Sequence, residues 1–168
     1  NYEATNDLDA AKEAIDAAIG NEKSNEWPKT YIVAAKVYTS LARAGKVENG
    51  YEKAVDFYKK AIDLDRKGDI KGKGINKFQK EIKLALTMFT SDLTNAAIDN
   101  FNKENFEGAL FDFESILWAN QQSNEKYSEV TDSVFIWNAA LGAYNAKNWP
   151  KSEKYLNKCI GFKYPGPD

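Results

Sequence analysis

The sequence predicts an all-α fold, on three observations. Apolar residues recur at spacings of three and four along most of the 168 residues, the period of a helix buried on one side. Sustained apolar–polar alternation is absent, and the Asn49-Gly50 pair stands between helical patterns rather than between β-branched runs. The prolines, Pro28, Pro150, Pro165 and Pro167, interrupt none of the long periodic segments.

Seven helices are expected. The first spans about Asp7–Ile19, with Asn6 as its N-cap. The second spans Pro28–Ala44: Pro28 suits a first helical turn and Gly45 a left-handed stop. The third spans Gly50–Asp65, where Asn49 and Glu52 are spaced as a capping box. The fourth runs from Gly74 to Lys103, with Thr90-Ser91 as the place where it would bend or break. The fifth covers Asn105–Asn120 and the sixth Ser128–Ala146. The seventh covers Trp149–Gly161, with Pro150 in its first turn.

One stripe repeats in the third, fifth and seventh helices. An aromatic leads (Tyr51, Phe106, Trp149), then a small residue (Ala54, Ala109, Ser152), then a bulky one (Tyr58, Phe113, Leu156). Ala61-Ile62, Ile116-Leu117 and Cys159-Ile160 complete the face. A small residue at a fixed place lets a neighbouring backbone approach, and the bulky ones fill the sides. The helices before them carry paired small residues (Ala34-Ala35, Ala96-Ala97, Ala139-Ala140) and then an aromatic (Tyr38, Phe101, Tyr144). In the first helix Ala10, Ala14 and Ala17 are expected on the stripe.

Helix pairs repeated with a small–aromatic code are the mark of a solenoid. The pattern resembles the tetratricopeptide repeat, on residues 34–65, 95–117 and 138–160. That resemblance implies a right-handed α-α superhelix of about seven helices. It takes residues 1–168 as a single domain, with units at 7–20 (half a repeat), 28–66, 75–120 and 128–162. The spacings Ala10–Ala54, Ala54–Ala109 and Ala109–Ser152 all exceed the family period of about 34 residues. Insertions are therefore expected at 43–50 and before the fourth and sixth helices. The unpaired first helix and the closing YPGPD point to a segment of a longer array. The lysine-rich long helix is similar to one in exported envelope proteins of Gram-negative bacteria that carry these repeats. This implies a periplasmic or outer-membrane-surface location, with any signal peptide lying outside this chain.

In the family, the first helix of each pair lines a concave groove that binds extended peptides or helices. Carried over, the lining is Lys29, Ile32, Lys36 and Thr39 from the second helix, and Ser91, Thr94, Asn95, Ile98 and Asn102 from the fourth. The sixth adds Trp137, Asn138, Leu141 and Asn145. The family's Lys/Asn clamp for a terminal carboxylate is not reproduced, since Ile32, Lys36, Thr94, Ile98, Trp137 and Leu141 occupy the candidate places. The resemblance implies a protein or peptide partner and a non-catalytic scaffold. The alternative is a structural spacer or oligomerisation domain of a larger envelope protein.

Charge and composition narrow the other classes. A net charge of −2 argues against a protein that coats nucleic acid. No apolar run has the length of a transmembrane span. Histidine is absent, which removes the commonest general base and metal ligand, and Cys159 is the lone cysteine. Cys159 reads as a core residue on its stripe. No cofactor or metal is expected: Gly72-Lys73-Gly74 lacks the remainder of a phosphate loop, and Asp63/Asp65 and Asp112/Glu114 read as helix-surface charges. Residues 66–83 hold seven cations (Arg66, Lys67, Lys71, Lys73, Lys77, Lys80, Lys83) against Asp69 and Glu81. That stretch reads as a solvated face, or as a contact for an acidic partner or anionic surface.

Overall fold

A computed structural model describes residues 7–68 and 73–166. The fold is all-α: α1 (Leu8–Gly20), α2 (Pro28–Arg43), α3 (Gly50–Lys67), α4 (Gln79–Asn102), α5 (Phe106–Ser123), α6 (Ser133–Asn145) and α7 (Trp149–Phe162). A 3₁₀ turn, Glu129–Asp132, precedes α6, and no strand occurs among the described residues. By its packing the chain divides into two compact units, Asn1–Ala85 and Leu86–Asp168, with the division inside α4.

In the first unit α2 and α3 form a helical hairpin and α1 lies against α2. Ile32, Ala34, Ala35 and Leu41 of α2 and the stripe Ala54, Tyr58 and Ala61 of α3 are all buried. Phe57 lies between Tyr31 and Tyr38, with ring centroids 6.1 and 5.2 Å away. The Tyr38 hydroxyl donates to Asp16 Oδ1 at 2.8 Å and ties α1 to α2. The expected α1 stripe is corrected. Ala14 and Ala17 are exposed, and Ala11 and Ile15 are buried instead. The large side chains decide that face, since turning Ile15 inward removes more apolar surface than turning in an alanine.

α2 stops as its sequence predicts. Gly45 takes φ 65°, its N–H donates to the Ala42 carbonyl, and Lys46 N–H donates to the Leu41 carbonyl, each at 2.9 Å. This double bond satisfies two terminal carbonyls. The expected capping box at Asn49 does not form: Asn49 is left-handed (φ 54°) and its side chain caps nothing. That conformation, which Asn tolerates better than most residues, delivers Gly50 against Ala42. A Cβ on Gly50 would stand 2.7 Å from Ala42 Cβ.

α4 begins at Gln79 rather than near Gly74, because Gly74 and Asn76 are both left-handed (φ 75° and 57°) and hold residues 73–78 as turns. Buried Asp65 anchors this turn. Its carbonyl accepts from Asn76 N–H at 2.8 Å and its Oδ1 from Phe78 N–H at 2.9 Å. Asp65 is therefore not the surface charge expected of it, and Asp112 is buried too. The break expected at Thr90-Ser91 is absent. Thr90 Oγ1 donates to the Thr87 carbonyl and Thr94 Oγ1 to the Thr90 carbonyl, so both hydroxyls are satisfied inside a continuous helix. The expected cap at Asn6 lies outside the described residues. Asp7 caps α1, its Oδ1 accepting from Ala10 N–H at 3.0 Å.

In the second unit α5 packs on α6 and α6 on α7. Its two short turns are alike. Glu104 and Lys147 are both left-handed (φ 58°), the position that Gly45 holds after α2. Asn105 and Asn148 then each play two parts. Their N–H groups close the preceding helix on the carbonyls of Asn100 and Ala143, and their side chains cap the next helix at Gly108 and Lys151. An edge-on aromatic pair accompanies each turn, Phe101–Phe106 at 5.2 Å and Tyr144–Trp149 at 5.5 Å. Asn100 Nδ2 donates to buried Asp112 at 2.8 Å, joining α4 to α5. Gly142 of α6 faces the Leu110 backbone of α5, which lies 3.4 Å from where a Cβ would be.

The small column holds throughout: Ala54, Ala109 and Ser152 are all buried. The bulky column slips in α7, where Tyr155 is buried in place of Leu156 and Ile160 is exposed. Tyr155 has a reason to turn in, because its hydroxyl donates to Glu114 Oε1 at 2.7 Å. Cys159 lies in the core, and burial raises its thiol above the ordinary range.

Candidate functional site

The residues assigned to a binding face divide by burial. On α2, Ile32 is fully buried and Thr39 is buried with its hydroxyl donating to the Ala35 carbonyl. Neither is available to a partner, and both are withdrawn from the lining. They occupy the side of α2 that forms the core, where an apolar side chain and a back-bonded threonine are stable. Lys29 and Lys36 stay half-exposed, and both ion-pair with Glu81 of α4, Lys36 at 3.6 Å. The Lys29 hydrogen bond holds the Glu81 carboxyl below its usual range, against the opposing effect of burial, and Lys36 adds to the lowering.

On α4 the assignment fits an exposed stripe. Ser91, Asn95, Ile98 and Asn102 are exposed and share a face by their spacing, while Thr94 beside them is half-buried. Met88 extends that stripe. It is 66% exposed and Ile98 52%. Sequence reasoning missed Met88, although it stands one turn before Ser91 and continuing the same period would have found it.

On α6, Trp137, Asn138 and Leu141 are half-buried and Asn145 is exposed. Asn145 Nδ2 donates to the Leu141 carbonyl at 2.9 Å. The Tyr164 ring lies 6.1 Å from that of Trp137, so residues after α7 partly cover the tryptophan. The α4 stripe and the α6 face both belong to the second unit.

Each unit also holds a cleft. In the first, a space of about 320 Å³ is lined by Trp27, Pro28, Leu64, Lys73, Lys77 and Phe78. Trp27 meets Phe78 edge-on at 6.3 Å and Lys77 stands over the Phe78 ring. To this cleft Lys73 and Lys77 bring two cations of the stretch 66–83. Its Asp69 and Lys71, and Gly72 of the glycine-lysine-glycine turn, lie outside the described residues. In the second unit, a cleft of about 520 Å³ lies between α5 and the α6–α7 turn, lined by Glu107, Leu110, Phe111, Glu114, Lys147, Pro150 and Lys151 among others. Sequence reasoning took Glu114 as a helix-surface charge and Pro150 as a first-turn residue, and assigned none of these residues to binding.

Asp132, the last residue of the 3₁₀ turn, is a buried carboxylate. Its Oδ1 accepts from Asn120 Nδ2 at 3.0 Å, while Oδ2 meets no donor in hydrogen-bonding geometry among the described residues. Burial pushes its carboxyl up, outweighing Asn120 and the neighbouring Tyr127 hydroxyl. Burial and the Asp132 charge push Tyr127 in turn to about 12. Among the described residues no helix is long and apolar enough to cross a membrane.

No family model matches the chain, and no curated protein matches it. Among solved structures, the crystal structure of BtubC (BKLC) from P. vanneervenii is similar at 15% identity, covering 99% of this chain and 80% of that one, with a TM-score of 0.39. A likeness of that degree bears on neither the fold nor the function.

Proposed function

We propose that the chain is a non-catalytic scaffold of tetratricopeptide-like helix pairs that binds a polypeptide along the exposed face of α4, with residues of α6 contributing. The observation that carries the reading is the α4 stripe. Met88 and Ile98 are more than half exposed among Ser91, Asn95 and Asn102, on a helix whose opposite side is buried through Leu86, Phe89, Leu93 and Ala97. Apolar anchors set among amides suit a peptide, which offers side chains to bury and a backbone to hydrogen-bond. A helix held by its buried side keeps that stripe in shape, so little ordering entropy is lost on binding. The recurrent hairpins, the buried small column and the shared turn geometry support the repeat reading.

Affinity capture with the whole chain as bait tests the proposal. Met88→Gln and Ile98→Gln should each lose the captured polypeptide at unchanged thermal stability, since both side chains are largely solvent-exposed. Retention by both variants would overturn it.

The alternative, an oligomerisation domain, is favoured by α7, where Trp149 is 56% and Ile160 73% exposed. It expects self-association of the purified chain that Ile160→Gln abolishes, with the α4 variants without effect.

A further inference from the structure

The cleft between α5 and the α6–α7 turn carries a chemistry of its own. Leu110, whose backbone lies against Gly142, and half-buried Phe111 give it an apolar floor on α5, and Pro150 adds apolar surface from the start of α7. Glu114 is already engaged. Lys151 Nζ and the Tyr155 hydroxyl each reach it at 2.7 Å, so that pair is internally neutral. Two charges remain. The Glu107 carboxylate on α5 and the Lys147 ammonium on the turn have no ion-pair or side-chain hydrogen-bond partner among the described residues. Lys147 also holds a left-handed backbone, φ 58°, where the matching turn of the first unit has Gly45 at 65°. The turn geometry favours glycine there, and Glu104 holds the same place and φ in the other turn of this unit.

We propose that this cleft is a second polypeptide site, taking a short extended segment in which an apolar side chain stands between one basic and one acidic residue. Charge complementarity selects that occupant. A nucleic acid or an anionic membrane would meet the Glu107 carboxylate, and a polycation would meet the Lys147 ammonium. Only a ligand carrying both signs satisfies the free carboxylate and the free ammonium at once, and the apolar lining of the same cleft accepts an apolar group. The site shares a polypeptide ligand with the α4 reading but no residue with it, so the two stand or fall separately.

The test uses the whole chain, ¹⁵N-labelled and titrated with acetyl-Lys-Leu-Glu-amide and acetyl-Glu-Leu-Lys-amide. The range runs to about 10 mM, because a ligand with so few contacts binds weakly. Saturable amide shifts are expected at Leu110, Phe111, Lys147 and Lys151, with one peptide preferred. Lys147→Gly should weaken that binding about tenfold, the loss of one charged contact, while keeping or raising the Tm because glycine relieves the left-handed turn. Glu107→Gln should weaken it similarly. The swap Glu107→Lys with Lys147→Glu should invert the peptide preference. Absence of shifts in the cleft with both peptides would overturn the proposal. So would shifts unmoved by Lys147→Gly and Glu107→Gln, or the same shifts from inorganic phosphate alone. None of these results bears on capture through α4.

Discussion

Gly50 and Gly142 make a paired prediction in which the same substitution has opposite signs. Neither has a left-handed φ, so alanine can adopt either backbone and only space decides. At Gly50 a new Cβ would stand 2.7 Å from Ala42 Cβ, 2.9 Å from Val47 Cγ2 and 3.1 Å from Ala42 Cα. The first two are closer than real Cβ atoms approach. The third is backbone in the last turn of α2, which the Gly45 stop pins. Gly50→Ala should therefore force a shift and lower stability by about 1–3 kcal/mol, the range for overpacking. At Gly142 the new Cβ would meet Leu110 Cα and N at 3.4 Å and Leu110 Cβ at 3.5 Å, which is ordinary contact. There the gain from replacing glycine inside a helix prevails, about 0.5–1 kcal/mol of stabilisation. At roughly 2–4 °C per kcal/mol for a chain of this size, the two variants should move the Tm in opposite directions by several degrees. Urea unfolding followed by far-UV circular dichroism, with the slope m unchanged, reads the same signs. A Gly50→Ala variant as stable as the parent would refute the close α2–α3 approach. A Gly142→Ala variant destabilised by more than about 1 kcal/mol would show that α6 lies tighter on α5 than this spacing permits.

Three further outcomes follow from the same geometry. Asn105→Ala should lower stability by about 1 kcal/mol or somewhat more by chemical denaturation, because the cap on Gly108 N–H and the bond from Asn105 Nδ2 to Asn100 Oδ1 are lost together; no change would mean that water replaces both. Glu81 has a folded pKa below its ordinary value of 4.5, so its pairing stabilises fully above that pH and is lost as pH falls through the lowered value. Glu81→Gln should remove that part of the acid sensitivity, and an unaltered stability–pH curve would contradict it. Asp132 is the reverse case, a carboxyl raised by burial, so its stability contribution falls as pH rises from 3.8 through the raised value. Asp132→Asn should raise stability at neutral pH and make no difference below about 3.8, whereas destabilisation at neutral pH would mean that the carboxylate is better solvated than its burial indicates.

The helices and their stops were legible because local chemistry dictates them. Pro28 and Pro150 mark first turns, Gly45 the left-handed stop, and the small column Ala54, Ala109 and Ser152 the buried faces. The misreadings arose where a tertiary contact overrides a local signal. Asn49 and Glu52 have capping-box spacing, but the approach of Gly50 to Ala42 sets the backbone there. Gly74 could open a helix, but Asp65 holds the chain in a turn until Gln79. Burial decided the candidate site. Spacing alone assigns both Ile32 and Ile98 to the lining, yet one is fully buried and the other 52% exposed, because the helices that cover a face are remote in sequence.

The central claim is that a polypeptide lies along the exposed face of α4. The most direct measurement replaces Asn95 with a photo-crosslinking amino acid and irradiates the whole chain in its native cells. As a control, the same group is placed at Glu153, an exposed position on α7. The account predicts a discrete polypeptide adduct from position 95 that is absent from position 153 and is lost when Ile98→Gln is added. Equal labelling from both positions, or no adduct from position 95, would contradict it.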